Sequence, residues 1–203
     1  MTTLFFDTET TGKFDYKQPA TAEGQPRLVT FSGLLTDERY TTLATMDFTV
    51  RPEGFTISEQ VSAIHGVTHQ EALDTGIPVK TALHLIDCLM DCADLIVAFN
   101  LKFDAAILEN ECHHAGVPFV LTGRTGKCAM QRAKSYCKIP GQYGDWKYPK
   151  LQEAYTHFFG QPFDGAHESA SDAAATRGVW RAMMELEHEQ STAKLPKAAE
   201  VVA

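Results

Sequence analysis

A chain of 203 residues is long enough for one domain with a sizeable core. Its makeup, 44% hydrophobic and 22% charged, is that of a soluble globular protein and excludes a disordered or fibrous one. No apolar run approaches the roughly 20 residues of a membrane span, and a net charge of −8 argues against a duplex binder held mainly by phosphate contacts.

Leu4-Phe5-Phe6 reads as a buried strand, and Asp7 and Glu9 follow at once. Alternate side chains on a strand share a face, so these two carboxylates point the same way. Two anions held side by side repel each other and lose solvation unless something positive sits between them. A hard divalent cation answers that need, because Mg²⁺ takes oxygen ligands and keeps positions open for water and phosphate. Thr10-Thr11-Gly12 breaks the strand, and Gly12 lets the backbone approach a ligand closely. Residues 13–25 are polar, with Gly and Pro, and read as a loop. Residues 27–36 and 40–50 read as strands joined by a turn at Asp37-Glu38-Arg39, so the chain opens as a three-stranded antiparallel meander.

Helices follow. Ser58 offers an N-cap to a short helix through Ile64 that Gly66 ends, and Thr68 with Glu71 forms the capping box of another. The apolar period over 79–92 predicts a longer helix. Leu95 to Phe99 is a short apolar run, hence a buried strand, and a helix runs from Phe103 to Ala115. Phe119-Val120-Leu121 reads as a further strand, residues 128–137 as a helix, 141–149 as a loop and 151–159 as a short helix. Ser169 begins the last helix, which runs to about Glu189, and residues 190–203 read as a disordered tail after a single domain of residues 1–189. Strands first, then alternating helices and strands, predict an α/β fold: a mixed sheet flanked by helices.

The N-terminus enters a strand without the basic start and apolar stretch of a signal peptide, which predicts a cytoplasmic protein. Five cysteines with no CxxC pair read as reduced thiols. Charge is unevenly spread. Between Leu121 and Lys150 seven basic residues (Arg124, Lys127, Arg132, Lys134, Lys138, Lys147, Lys150) face one acid, Asp145, with Tyr136, Tyr143, Trp146 and Tyr148 among them. Cations that meet phosphate beside rings that stack on bases suit a single-strand-binding surface.

Two more clusters carry chemistry. Asn100-Leu101-Lys102-Phe103-Asp104 lies past the buried strand at the start of a helix, at the sheet edge where α/β proteins place ligands. His167 stands on a loop, and Ser169 with Asp172 reads as the reciprocal cap of the last helix. Singly, Asp104 is an ordinary helix-start acid and His167 an ordinary loop histidine, although its side chain suits proton transfer near neutral pH. A zinc site at His65 and His69 is poor, because Gly66 interrupts and no Glu follows His65. A zinc cluster from His84, Cys88 and Cys92 with Cys112, His113 and His114 is a weak alternative, since small thiols commonly fill cores.

As an ordered set, these motifs resemble the DEDDh exonucleases, the DnaQ-like branch of the ribonuclease-H-like superfamily. Residues 6–12 resemble the first motif, residues 100–104 the second, and His167 with Asp172 five positions on the third; residues 64–68 are similar to a segment between the first two. The resemblance implies a ribonuclease-H-like sheet and 3′–5′ hydrolysis of terminal phosphodiesters, with release of nucleoside monophosphates. It implies two divalent cations, Mg²⁺ with Mn²⁺ able to substitute, about 3.5–4 Å apart. Asp7 would bridge them, Glu9 and Asp172 complete the first site, Asp104 hold the second, and His167 act as general base. It further implies that the terminal nucleotide lies over Thr10, Thr11 and Gly12, whose amides hold its 3′ hydroxyl, with His65, Asn100 and Phe103 near the substrate and a wedge from residues near Ile64. The expected partner is nucleic acid with a free 3′ end, DNA and single-stranded, gripped weakly through residues 124–150. RNA of the same polarity is the alternative substrate, and a non-catalytic nucleic-acid-binding module the alternative role. The chain stops soon after the last helix, without the long segment by which a proofreading subunit joins its polymerase, which predicts a free-standing enzyme.

Overall fold

The computed structural model describes residues 1–193. Five strands form one sheet in the order β3-β2-β1-β4-β5. The strands β1 (Thr3–Thr10), β2 (Leu28–Thr36) and β3 (Thr42–Thr49) make the predicted antiparallel meander. The later strands, β4 (Leu95–Ala98) and β5 (Gly126–Cys128), add in parallel on the other side of β1. The central strand is therefore the one that carries Asp7 and Glu9.

Helices α1 (Glu59–His65), α2 (His69–Thr75), α3 (Val79–Asp91) and α4 (Leu101–Ala115) come before β5, and α5 (Ala129–Cys137), α6 (Leu151–Phe159) and α7 (Ser169–Ala193) after it. The expected caps form: the Ser58 side chain accepts from the Val61 N–H, Thr68 and Glu71 make their reciprocal pair, and Gly66 ends α1 with φ +80. Period-2 alternation along β1 divides the interior. Leu4 and Phe6 pack with Ile86, Met90 and Ile107 of α3 and α4, whereas Phe5 packs with Ala129, Val179 and Met183 of α5 and α7. The sheet thus lies between two helical layers. Gly33, opposite Phe6 in β2, has no room for a side chain: a Cβ there would sit 2.7 Å from Leu89 Cδ2.

Three expectations need correction. Residues 119–121 are not a strand: after Pro118 the Phe119 carbonyl accepts from the Thr122 N–H in a turn, and Val120 plugs the α3–α4 core. The strand forms later, at Gly126–Cys128, and its short polar sequence gave no apolar signal; Gly126 leaves the space that Leu101 Cδ2 fills. Helix α4 starts at Leu101, two residues before the predicted Phe103. Helix α7 continues to Ala193, so residues 190–193 of the expected tail are helical, and the rest of that tail lies outside the described residues. Among the described residues, no helix is long and apolar enough to cross a membrane.

Candidate active site

The site forms where β1 runs out. Asp7 and Glu9 follow Phe5 on the face that looks toward α7, opposite Ser32 and Thr30 of β2. The β1–β2 register shifts between Glu9 and Thr10, a bulge that bends the strand at this point. Thr8 faces the other layer, and its hydroxyl donates to Asp104 Oδ1 at 2.7 Å. Asp104 lies in the first turn of α4 and is only 3% exposed. One central strand therefore reaches the acids of both layers.

The third motif is built differently from the expected cap. Ser169 is not the N-cap of α7; it lies inside the helix, with its hydroxyl turned onto β2, 2.7 Å from Ser32 Oγ and 3.0 Å from Thr30 Oγ1. The Asp172 N–H bonds instead to the Glu168 carbonyl at 2.9 Å. Asp172 Oδ2 accepts from the His167 N–H at 3.2 Å, and Asp172 Oδ1 is buried without a hydrogen-bond partner among the described residues. His167 has φ +71, a left-handed backbone that histidine tolerates better than most, and its side chain is exposed. The turn before it needs Gly165, where a Cβ would meet Ser171 Oγ at 2.6 Å.

One ligand atom each from Glu9, His167 and Asp172 lie within 4.8 Å of one another. Burial, and then the charges of Asp104, Asp172 and Glu9, hold the Asp7 carboxyl well above the usual carboxylate range. Burial and the charges of Asp172 and Asp104 push Glu9 to about 8. Burial raises Asp104 to about 7 against the opposing hydrogen bond from Thr8. Burial also raises Asp172 to about 6, with the His167 N–H acting against it. Four acids that resist ionisation first through burial, and in Asp7, Glu9 and Asp104 also through one another's charge, form a site that favours a cation. The orphaned Asp172 Oδ1 is an acceptor with capacity to spare, so the oxygen-rich donor set fits hard divalent ions.

The other predicted residues have mixed fates. The Thr10 hydroxyl donates to the Gly12 carbonyl, and the Thr11 N–H bonds to the Arg27 carbonyl at 2.9 Å, so the Thr11 amide is already committed within the fold. His65 is buried and accepts from the Val67 N–H through Nδ1, as a helix-end cap would, while its Nε2 has no partner among the described residues. Phe103 packs against the α3–α4 core, and the Asn100 carbonyl receives the first N–H groups of α4. Ile64 is 57% exposed. The predicted zinc alternative does not assemble: among the described residues only Glu9, His167 and Asp172 cluster as three metal-capable side chains.

The basic stretch is largely spent on internal pairs. Arg124 pairs with Asp87 and Asp91, Arg132 with Glu187, Lys134 with Asp145 and Lys147 with Glu153. Sequence reasoning missed Thr8 as the residue that holds Asp104, and the Ser32–Ser169 contact that ties the start of α7 to β2. Strand alternation could have placed Thr8 toward Asp104; nothing local marks the partner of Ser32. A groove of about 650 Å³ lies away from the acids, between α6, α7 and the β2–β3 turn. Of the four acids, Asp104 is buried and Asp7, Glu9 and Asp172 are half-buried, with the exposed His167 beside them.

No protein-family model and no curated protein matches the chain. Solved structures do. Exonuclease I of E. coli in complex with a dT13 oligonucleotide is similar with a TM-score of 0.73 and 19% identity, over 95% of this chain and 43% of that one. The zinc-ion-bound form of the E. coli exonuclease I complex with single-stranded DNA gives 0.73 and 19%, over 93% of this chain and 41% of that one. A product-bound structure of exonuclease I gives 0.68 and 20%, over 94% and 48%. The chain spans less than half the length of these proteins. Its mixed sheet, three antiparallel strands and then parallel ones between helical layers, is the ribonuclease-H-like fold found in exonuclease I.

Proposed function

We propose that the chain is a metal-dependent 3′–5′ exonuclease acting on single-stranded DNA. The observation that carries this reading is the cluster of Glu9, His167 and Asp172 within reach of one cation, with Asp7 and the buried Asp104 coupled to it by charge. Mutual repulsion makes such a cluster costly unless cations are its ordinary occupants. The likeness to exonuclease I bound to an oligonucleotide supports the same reading.

Divalent cations held by Asp7, Glu9, Asp104 and Asp172 would supply an activated water and neutralise charge on the scissile phosphate. Asp7, central among the four, is the acid best placed to be shared. Thr8 keeps the Asp104 carboxylate aimed by its hydrogen bond. His167 is exposed on its loop beside Glu9 and Asp172, where it takes the proton from the attacking water. Asp172 orients that loop through the His167 N–H.

The test is degradation of matched 5′-labelled DNA and RNA single strands with Mg²⁺ or Mn²⁺, with and without chelator, beside Asp7→Ala. A metal-dependent ladder that shortens from the 3′ end and is absent in the variant is the expected result, with DNA the faster substrate. No cleavage of either strand by folded, metal-loaded protein overturns the proposal. Faster RNA cleavage would reassign the substrate.

A further inference from the structure

Residues 11–27 cross from β1 to β2 past the start of α4, and a buried glutamine fixes their course. Gln25 is 7% exposed. Its Nε2 donates to the Asp15 carbonyl at 2.8 Å and the Pro19 carbonyl at 3.1 Å, and its Oε1 accepts from the Asp15 N–H at 3.0 Å. The Lys17 N–H adds a bond to Asp15 Oδ1 at 2.9 Å. A buried amide satisfied by three backbone groups of one loop sets where residue 16 stands.

That residue is Tyr16, 49% exposed. Phe14, packed against the α3–α4 core, lies beside it with ring centroids 5.2 Å apart. Lys102, from the first turn of α4, places Nζ 4.4 Å from the Tyr16 ring centroid. Lys102 stands two residues before Asp104. Burial, then the charge of Asp104, makes the Tyr16 hydroxyl a weaker acid, as a neighbour of that carboxylate should be. An aromatic ring on a pre-set loop, paired with an ammonium group and set beside a phosphodiester-cleaving site, is the combination that grips single strands.

We propose that Tyr16 and Lys102 hold the penultimate nucleotide of the strand, the one whose 3′ oxygen leaves. This rests on the exonuclease reading above. The placement follows from in-line displacement, in which the water attacks from one side of the phosphorus and the leaving oxygen departs from the other. His167 and Asp172 come from the α7 layer, which is the side of the water. Asp104, Lys102 and Tyr16 come from the α3–α4 side, opposite it. The base of the penultimate nucleotide stacks on Tyr16. Base stacking on a ring outweighs an exposed cation–π contact, so the base displaces the Lys102 ammonium, which then pairs with the adjoining phosphate.

The experiment is steady-state kinetics on a 5′-labelled thymidine oligonucleotide, with anisotropy of the same oligonucleotide on chelated protein at several salt concentrations. Tyr16→Ala is expected to raise KM about ten- to hundredfold, the worth of one stacked base, and to change kcat by less than about threefold. Tyr16→Phe, which keeps the ring, is expected to restore KM to within about twofold. Lys102→Gln is expected to reduce the slope of log Kd against log salt by about 0.7, one phosphate contact on a single strand. An unchanged KM in Tyr16→Ala, or a Tyr16→Phe as impaired as Tyr16→Ala, overturns the platform while the exonuclease reading stands. Wild-type protein that cleaves no strand overturns that reading and the platform with it.

Discussion

The hydroxyls of Ser32 and Ser169 lie 2.7 Å apart, joining the middle of β2 to the first turn of α7. Ser32 also donates to Asp47 Oδ1 at 2.6 Å, and Ser169 meets Thr30 as well, so two strands, β2 and β3, stand behind the start of the helix. Asp172 is three residues further along it. Ser169→Ala removes two buried hydrogen bonds and is expected to cost about 1–2 kcal/mol of stability. Because the helix start then loosens, Mn²⁺ affinity should fall severalfold. Urea unfolding and calorimetric Mn²⁺ titration read the two effects. Wild-type values for both would show that the serine pair does not position Asp172.

The carboxylates make stability depend on pH in an unusual direction. Glu9 near 8, Asp104 near 7 and Asp172 near 6 hold their protons more tightly in the fold than in the unfolded chain, and Asp7 is raised as well. Their contribution is therefore complete below about pH 4, where both states are protonated, and is lost as pH rises through about 6 to 8. Chelated protein is expected to melt at a lower temperature at pH 8 than at pH 5.5. Mg²⁺ or Mn²⁺ should raise the melting temperature most at the higher pH, and Asp7→Asn should flatten the pH dependence. Melting curves with chelator that are flat or rise over this range would contradict the assigned shifts.

Arg132 is tied into the fold by α7. Its guanidinium pairs with Glu187, which also accepts from the Tyr136 hydroxyl at 2.5 Å, and it lies 5.1 Å from the Trp180 ring centroid. Arg132→Ala is expected to cost about 1 kcal/mol through the lost pair and ring contact and to leave the salt slope of oligonucleotide binding as it was. A slope reduced by about 0.7 would return Arg132 to the substrate.

What the sequence showed and hid follows from the range of the interactions involved. The meander, the caps at Ser58 and Thr68 and the buried strand at Leu95 rest on local pattern, and each formed. So did the shared face of Asp7 and Glu9, which needs only strand alternation. The strand at Gly126–Cys128 was hidden because three residues at a sheet edge require neither length nor an apolar run. The apolar Phe119-Val120-Leu121 misled because burial under a turn looks, in sequence, like burial in a sheet. The capping reading of Ser169 failed because its better partners, Thr30 and Ser32, lie more than 130 positions away. The ion pairs of Arg124 and Arg132 were hidden for a related reason: Asp87, Asp91 and Glu187 belong to other elements.

His167 has two chemical options, and one pair of measurements separates them. Its ring lies close enough to Glu9 and Asp172 to share a cation with them, and it is exposed enough to take a proton from water instead. The φ of +71 complicates the usual alanine test, since alanine adds backbone strain at this position. Asparagine accepts that backbone, so His167→Asn is the cleaner variant. As general base, His167 accounts for about 10²- to 10⁴-fold of turnover, and its loss should leave Mn²⁺ affinity within about twofold. As a ligand, it would take metal affinity down with turnover. The Asp172 carboxylate is already engaged by the His167 backbone N–H, a bond that survives any side-chain change. The acid site therefore keeps its shape in the variant, and the expected result is lost turnover with retained Mn²⁺ binding. Turnover close to wild type would remove His167 from the chemistry.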